Sequence, residues 1–306
     1  MTKVLLATDK PFAKVAVDGI SKIINEAGYE FVILEKYKEQ SDFLNAAADA
    51  DAIIIRSDKA DRELLGEAKN LKIIVRAGAG YDNIDIAFAK EKGIVAMNTP
   101  GQNSNAVAEL AIGMMVYMAR NFFDGSSGTE LRGKKLGLHA YGNVSRYVAL
   151  IAKGFGMEVY AYDPYIKKED IEKEGVIYIE KIEDLYSTCQ YVSLHMPYNK
   201  ETHHLIGDGM ISLMPKGATI INTARKEVIC EEGLLSSFAA RPDFRYIADV
   251  EPDIKAELEM YKGRYFITPK KMGAQTEEAN INAGLAAARQ IVNFFKSGNT
   301  SFQINK

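Results

Sequence analysis

Short apolar runs alternate with longer amphipathic stretches along the first third of the chain. Lys3–Thr8 (KVLLAT) reads as a buried strand, and Lys14–Ala27 places Val, Ile and Ile at helical spacing. Phe31–Leu34 is a second strand, and Ala52–Ile55, after an Ala/Asp-rich helix, is a third. Leu71–Val75 and Ile94–Met97 complete this run. The alternation predicts a parallel sheet covered by helices on both faces. Asn105–Arg120 is apolar on nearly every side and is expected to lie buried between two layers or two domains. After a break at Asp124–Gly128, a second run begins, with strands at Lys135–His139, Glu158–Tyr162, Tyr191–Leu194, Thr219–Asn222, Tyr246–Asp249 and Tyr265–Thr268. Glu277–Lys296 is a long helix striped with Ala, Ile and Phe, and no tandem repeat or low-complexity segment interrupts the pattern.

Two consecutive runs of this kind predict an α/β fold of two doubly wound, Rossmann-like parallel-sheet lobes with an interlobe cleft. The long last helix is expected to cross back, so residues 1–98 plus 275–306 form one lobe and residues 99–274 the other. Ligands in such folds bind at the carboxyl ends of the strands.

Composition narrows the function. The 306 residues are 47% apolar and 26% charged, with a net charge of −3. That balance predicts a folded protein without the broad basic face that nucleic acid needs, and leaves room for a local anion pocket. Cys189 and Cys230 share no metal-ligand spacing with any histidine, so no metal site is expected and two reduced thiols are. The start MTKVLLATDK has no charged-then-apolar leader, and no apolar run reaches the ~20 residues of a membrane helix. A cytoplasmic protein with no membrane partner is the expectation.

The strand Lys135–His139 leads into Ala140-Tyr141-Gly142-Asn143-Val144-Ser145, followed by a helical stretch. This is the strand–turn–helix setting of a dinucleotide fingerprint, in which small residues let backbone N–H groups approach a pyrophosphate. The pattern is A-x-G-x-x-S, and only its central glycine is kept; a tight βα turn without a ligand has the same appearance. Asp163 stands at the end of the next strand, 21 residues after Gly142. An acid there can accept hydrogen bonds from both adenosine ribose hydroxyls and repel a 2′-phosphate, favouring NAD over NADP. The alternative is a turn-capping Asp. Downstream, Arg225 follows the apolar strand ATIIN and offers a planar fork that matches a carboxylate, although a lone arginine there also reads as a surface residue.

From these residues the resemblance becomes specific. Ile55-Arg56-Ser57, Arg76 to Asp85, Asn98-Thr99-Pro100-Gly101, Ala106 to Leu110, Thr129 to Lys134, Tyr162-Asp163-Pro164, Leu194-His195-Met196-Pro197, Met214 to Gly217, Asn222-Thr223-Ala224-Arg225 and Gly273 to Thr276 occur in order. Over nearly its whole length the chain resembles the D-isomer-specific 2-hydroxyacid dehydrogenases. The segments VRAGAGYDNID, TELRGK and GAQTEEAN most resemble the short 3-phosphoglycerate dehydrogenases, which lack a C-terminal regulatory domain.

The resemblance implies NAD-dependent oxidation of 3-phospho-D-glycerate to 3-phosphohydroxypyruvate, the first step of serine biosynthesis, by a homodimer acting on a small anionic substrate. It makes residues 1–98 plus 275–306 the substrate-binding domain and 99–274 the NAD-binding domain. Arg225 matches the arginine that holds the substrate carboxylate and polarises the C2 oxygen. Glu251 matches the family acid before a proline, with Asp253 the nearest substitute because the loop is short. The cofactor set implied is Ala140, Gly142, Asn143, Val144, Asp163, His195, Pro197, Thr202, Thr223, Ala224, Asp249 and Gly273, with Asp249 at the nicotinamide carboxamide. Substrate contacts fall on Arg225, Ser57 and the Ala77-Gly78-Ala79 turn, with Arg56 or Lys59 for a phosphate.

The chain departs from the family at the general acid/base. Where the family reads T-P-H-x-G, this chain reads Thr268-Pro269-Lys270-Lys271-Met272-Gly273, which puts Lys271 at the histidine position. None of the four histidines replaces it. A charged lysine can donate a proton to a developing alkoxide, so Lys271 is expected to serve, better as acid than as base. Only eight residues separate Arg120 from Thr129, where the family has a longer, Trp-containing excursion that often supplies dimer contacts. Two other readings compete: a hydroxypyruvate/glyoxylate or D-lactate reductase of the same family, and an inactive, nucleotide-binding corepressor-like protein.

Overall fold

The computed structural model describes residues Met1–Lys306. It divides into two compact units, Met1–Asn103 with Gln275–Lys306, and Ser104–Ala274. Thr99–Asn103 group with the first unit rather than the second.

The first unit holds strands β1 (Lys3–Thr8), β2 (Glu30–Glu35), β3 (Ala52–Ile55), β4 (Ile73–Arg76) and β5 (Val95–Asn98). They form one parallel sheet in the order β2-β1-β3-β4-β5. Every residue of β3 is buried, as a strand covered on both faces requires. One covering layer pairs helix Lys14–Glu26, through Ala16, Ile20 and Ile24, with helix Glu277–Ser297, through Ala283, Ala287, Ala288 and Ile291. Two glycines allow the helices to approach. A Cβ on Gly284 would lie 2.9 Å from Ile20 Cδ1, and one on Gly19 would lie 2.6 Å from Leu285 Cδ2. Thr276 caps the long helix by accepting from Ala279 N–H at 3.1 Å, and Gly298 ends it in the left-handed region at φ 67°. Beyond it, Asn305 accepts from Ala96 N–H at 3.0 Å and donates to Ile94 O at 2.8 Å, which covers the edge of β5.

The second unit carries β6 (Lys135–His139), β7 (Glu158–Tyr162), β8 (Ile177–Tyr178), β9 (Tyr191–Leu194), β10 (Thr219–Asn222), β11 (Arg245–Ala248) and β12 (Tyr265–Ile267). All are parallel, in the order β12-β11-β10-β9-β6-β7-β8. The chain starts at β6 and winds outward in both directions, so the strand order reverses between β6 and β9, the topological switch point. Helix Ser104–Ala119 packs Ala108, Ile112, Met115 and Met118 into the core on one face of this sheet, beside helix Asn143–Gly154. β1 and β6 lie in different sheets.

The elements match the sequence pattern with small differences. β4 and β5 start one or two residues later than expected, because Leu71 and Ile94 sit in the turns that precede them. β8 is absent from the sequence reading; two residues at a sheet edge leave no periodic signal. No helix is long and apolar enough to cross a membrane.

Candidate active site

At the carboxyl end of β6 the backbone turns through Ala140, whose φ of 76° lies in the left-handed region. An L-residue with a Cβ is strained there, and glycine is the usual occupant. The turn is held by Ala140 N–H donating to Tyr162 O at 2.8 Å and by Ser145 Oγ donating to Ala140 O at 2.6 Å. Gly142 follows, exposed, and a Cβ placed on it would meet nothing within 4 Å. Helix Asn143–Gly154 then begins with no side-chain cap and no acid in its first turn. Its first N–H groups, with Asn143 and Val144 at the tip, are therefore left for an anion.

Asp163 sits one residue beyond β7 and is 8% exposed. Its Oδ2 accepts from Tyr141 N–H at 2.7 Å, and its Oδ1 from Tyr165 and Ile166 N–H at 2.8 and 3.1 Å. A carboxylate offers about four acceptor sites. Three are spent on the protein, so Asp163 can accept one further hydrogen bond rather than the two expected for a ribose diol. The acid both organises the turn and faces the same strand ends.

His195 ends β9's apolar run. Its Nδ1 lies 3.4 Å from Thr223 Oγ1, and its buried Nε2 has no protein partner. Burial lowers its pKa to about 3, and His139 is lowered to about 3 by burial and by the neighbouring His195. Both rings are neutral at ordinary pH, so neither can serve as a proton donor there. Thr202 Oγ1 donates to Pro197 O at 2.8 Å, which fixes the loop after β9.

Two cations come together at the ends of β10 and β12. Arg225 Nη1 donates to Ala224 O at 3.0 Å, and Lys271 Nζ approaches the same oxygen at 3.4 Å. Asp249, 1% exposed, lies between the two loops and binds the one that carries Lys271. Glu251 pairs with Lys255 at 2.6 Å, and Asp253 pairs with Lys226 at 2.6 Å; all four lie toward solvent. Exposed pairs of this kind add little stability, so either acid can be drawn to another partner cheaply. No group of three or more His, Cys, Asp or Glu side chains is arranged to hold a metal ion.

The first unit holds the remaining expected contacts. Gly78 has φ 150°, and a Cβ there would fall 1.7 Å from Arg76 Nη1, so a glycine at the centre of the Ala77-Gly78-Ala79 turn leaves room for the Arg76 guanidinium. Arg76 Nε donates to Arg56 O at 3.0 Å. Arg56 spends its guanidinium on Lys10 O, Pro11 O and Asn280 Oδ1, at 3.0, 3.1 and 2.6 Å, and burial lowers its pKa. Three of its five N–H groups are thus engaged within this unit. Ser57 is exposed next to it, and Lys59 pairs with Asp61 at 3.1 Å.

Residues 106–269 match the family described as D-isomer specific 2-hydroxyacid dehydrogenase, NAD binding domain. The chain belongs to the D-isomer specific 2-hydroxyacid dehydrogenase family. It is 36% identical to a D-3-phosphoglycerate dehydrogenase of Methanocaldococcus jannaschii, across 88% of this chain and 54% of that one. It is 35% identical to a hydroxypyruvate reductase of Thermotoga maritima, across 86% of this chain and 90% of that one. A crystal structure of NAD+-bound 3-phosphoglycerate dehydrogenase from Entamoeba histolytica superposes with a TM-score of 0.88 at 50% identity, covering 100% of this chain and 99% of that one. The chain spans about half the length of the Methanocaldococcus relative.

The family's cofactor fits the residues present. The open cradle over Gly142, the uncapped helix start and the orphaned His195 Nε2 all lie at the carboxyl ends of β6 and β9. NAD bound by this unit would rest its pyrophosphate at Gly142, Asn143 and Val144 and its ribose at Asp163. Sequence reading gave no individual role to Asn222, Thr268 and Arg76, although all three stand in the segments that carry the resemblance. A polar residue closing an apolar strand, as in TIIN, was the available signal.

Proposed function

We propose that this chain oxidises 3-phospho-D-glycerate to 3-phosphohydroxypyruvate with NAD. The reading rests on one observation above all: Arg225 and Lys271, from separate strand ends, converge on a single carbonyl. A permanent cation beside a proton-carrying one suits a 2-hydroxyacid, whose carboxylate needs neutralising while its C2 oxygen changes protonation. Bound NAD supplies the two-electron hydride acceptor. Arg225 holds the carboxylate through its planar fork. As the neutral amine Lys271 takes the hydroxyl proton in oxidation, and as the ammonium it returns that proton in reduction. Arg225 cannot substitute, since it does not release its proton. The Ala77–Ala79 turn is our candidate for further contacts to the substrate anion, and Glu251 for the acid that tunes Lys271.

A second substrate reading is favoured by Arg56. With its fork directed at Lys10, Pro11 and Asn280, recognition of a 3-phosphate is weakened, and an unphosphorylated hydroxypyruvate or glyoxylate fits equally. The hydroxypyruvate reductase of Thermotoga maritima is also matched over most of its length. NADH oxidation with 3-phosphohydroxypyruvate beside hydroxypyruvate, glyoxylate and pyruvate tests both. A kcat/KM for 3-phosphohydroxypyruvate no higher than for hydroxypyruvate would exclude the phosphorylated substrate. The reading includes a homodimer in a reducing compartment, supported by the exposed Phe123 beside Tyr117 and by the free thiols of Cys189 and Cys230. Sedimentation velocity tests the dimer.

A further inference from the structure

Two fully buried polar side chains stand at the ends of neighbouring strands, Asn222 closing β10 and Asp249 just beyond β11. Burial of such groups is costly unless each polar atom finds a partner. Their backbones are joined, Asp249 N–H donating to Asn222 O at 2.9 Å. The Asn222 side chain accepts from Ala224 N–H at 3.0 Å and donates to Arg225 O at 2.9 Å. The Asp249 carboxylate accepts from Thr268 Oγ1 at 2.8 Å, Met272 N–H at 2.9 Å and Gly273 N–H at 2.7 Å. One side chain thus gathers the backbone around Arg225, and the other gathers both ends of the loop that carries Lys271.

We propose that Asp249 is a positioning residue for Lys271, with Asn222 its counterpart for Arg225. Clamped to adjacent strand ends, the two loops hold guanidinium and ammonium at one carbonyl. The inference rests on the reading of Lys271 as the proton carrier. Lysine is a long, flexible point charge, and a lysine on an unanchored loop would be spread over many positions. Anchoring Thr268 on one side and Met272 and Gly273 on the other leaves the ammonium only its own side-chain torsions. The loop comes so close that a Cβ on Gly273 would lie 2.9 Å from Asp249 Oδ2. An ionised carboxylate only accepts, and all three of its partners donate. In Asp249→Asn an amide N–H₂ replaces one oxygen and faces one of these donors, so shape is kept while the clamp fails.

The test joins a measurement on the ligand-free protein to a mutant cycle. Hydrogen exchange of the Met272 and Gly273 amides should quicken about 10- to 100-fold in Asp249→Asn, the factor expected for losing a hydrogen bond to a charged group. Thr268→Val, which removes one bond and leaves the carboxylate, should quicken it less and guards against a misfolded first variant. Turnover of the best 2-oxoacid should fall about 100-fold in Asp249→Asn, as for a misplaced reacting group. The same substitution should cost almost nothing further in turnover in the Lys271→Ala background, whatever it does to NADH affinity measured by fluorescence. Unchanged exchange would overturn the proposal. So would an equal loss of turnover in both backgrounds, or a loss confined to NADH binding, which would make Asp249 a cofactor contact alone. A wild-type protein inert toward every 2-oxoacid would refute the proposed activity and leave the clamp to be decided by exchange.

Discussion

Ala140→Gly should stabilise the protein, against the usual cost of introducing glycine. Ala140 is held at φ 76° by the strand before it, by Tyr162 O and by Ser145. Left-handed backbone costs an L-residue about 1–2 kcal/mol, which glycine does not incur. Against this, glycine adds about 0.4–1 kcal/mol of unfolded-state entropy. The net gain is about 0.5–1 kcal/mol, which for a unit of this size raises the melting temperature by about 1–4 °C. Ala140→Val provides the opposite arm, since a β-branched residue is least tolerant of positive φ. It should lower the midpoint by more than glycine raises it. Calorimetry of the three proteins, with NADH affinity by fluorescence, checks the turn from both sides. Affinity should be kept in the glycine variant, because the cradle over Gly142 is untouched. A lower midpoint for Ala140→Gly, or indifference to valine, would show that the turn is not left-handed and would remove the basis for placing a pyrophosphate there.

Lys271→Ala should lose about 10²–10⁴-fold in turnover with NADH affinity intact, while Lys270→Ala should be close to neutral; the reverse pattern would shift the register by one residue. Asp163→Ala should destabilise by about 2–4 kcal/mol in urea melts, since three backbone donors lose a charged acceptor, and should weaken NAD; a stable variant with altered cofactor choice alone would deny its role in the turn. Gly78→Ala should cost about 1–3 kcal/mol of stability, because at φ 150° an L side chain is strained and the Arg76 guanidinium would also have to move; a neutral outcome in the same melts would mean that the turn is not held at that φ. His139 and His195, held neutral with pKa values near 3, bind fewer protons than the unfolded chain below about pH 6.5. Stability should therefore fall as pH drops from about 6.5 toward 3, by about 1 kcal/mol per pH unit per histidine, and His195→Asn should flatten that slope when urea midpoints are compared across pH.

Much of the fold was legible in the sequence because its causes are local and repetitive. Buried parallel strands need continuous apolar runs, and KVLLAT, AIII and TIIN show them without reference to anything distant. The fingerprint was legible in outline, since a turn into a helix needs small residues wherever it occurs. Ala140 at the first position and a lysine in place of the histidine were readable as departures, though not their consequences. The tertiary structure decided how the polar side chains are spent. Asp163, Arg56 and Asp249 carry the residue types that binding a cofactor or an anion requires. Whether their lone pairs and N–H groups face a ligand or a neighbouring loop depends on atoms far away in the chain, such as Lys10 O and Asn280 Oδ1 for Arg56. A hydrogen bond is satisfied by geometry in three dimensions and leaves no periodic trace along one. The meeting of Arg225 with Lys271 has the same origin, because β10 and β12 both flank β11 and so bring their end loops within reach of one carbonyl.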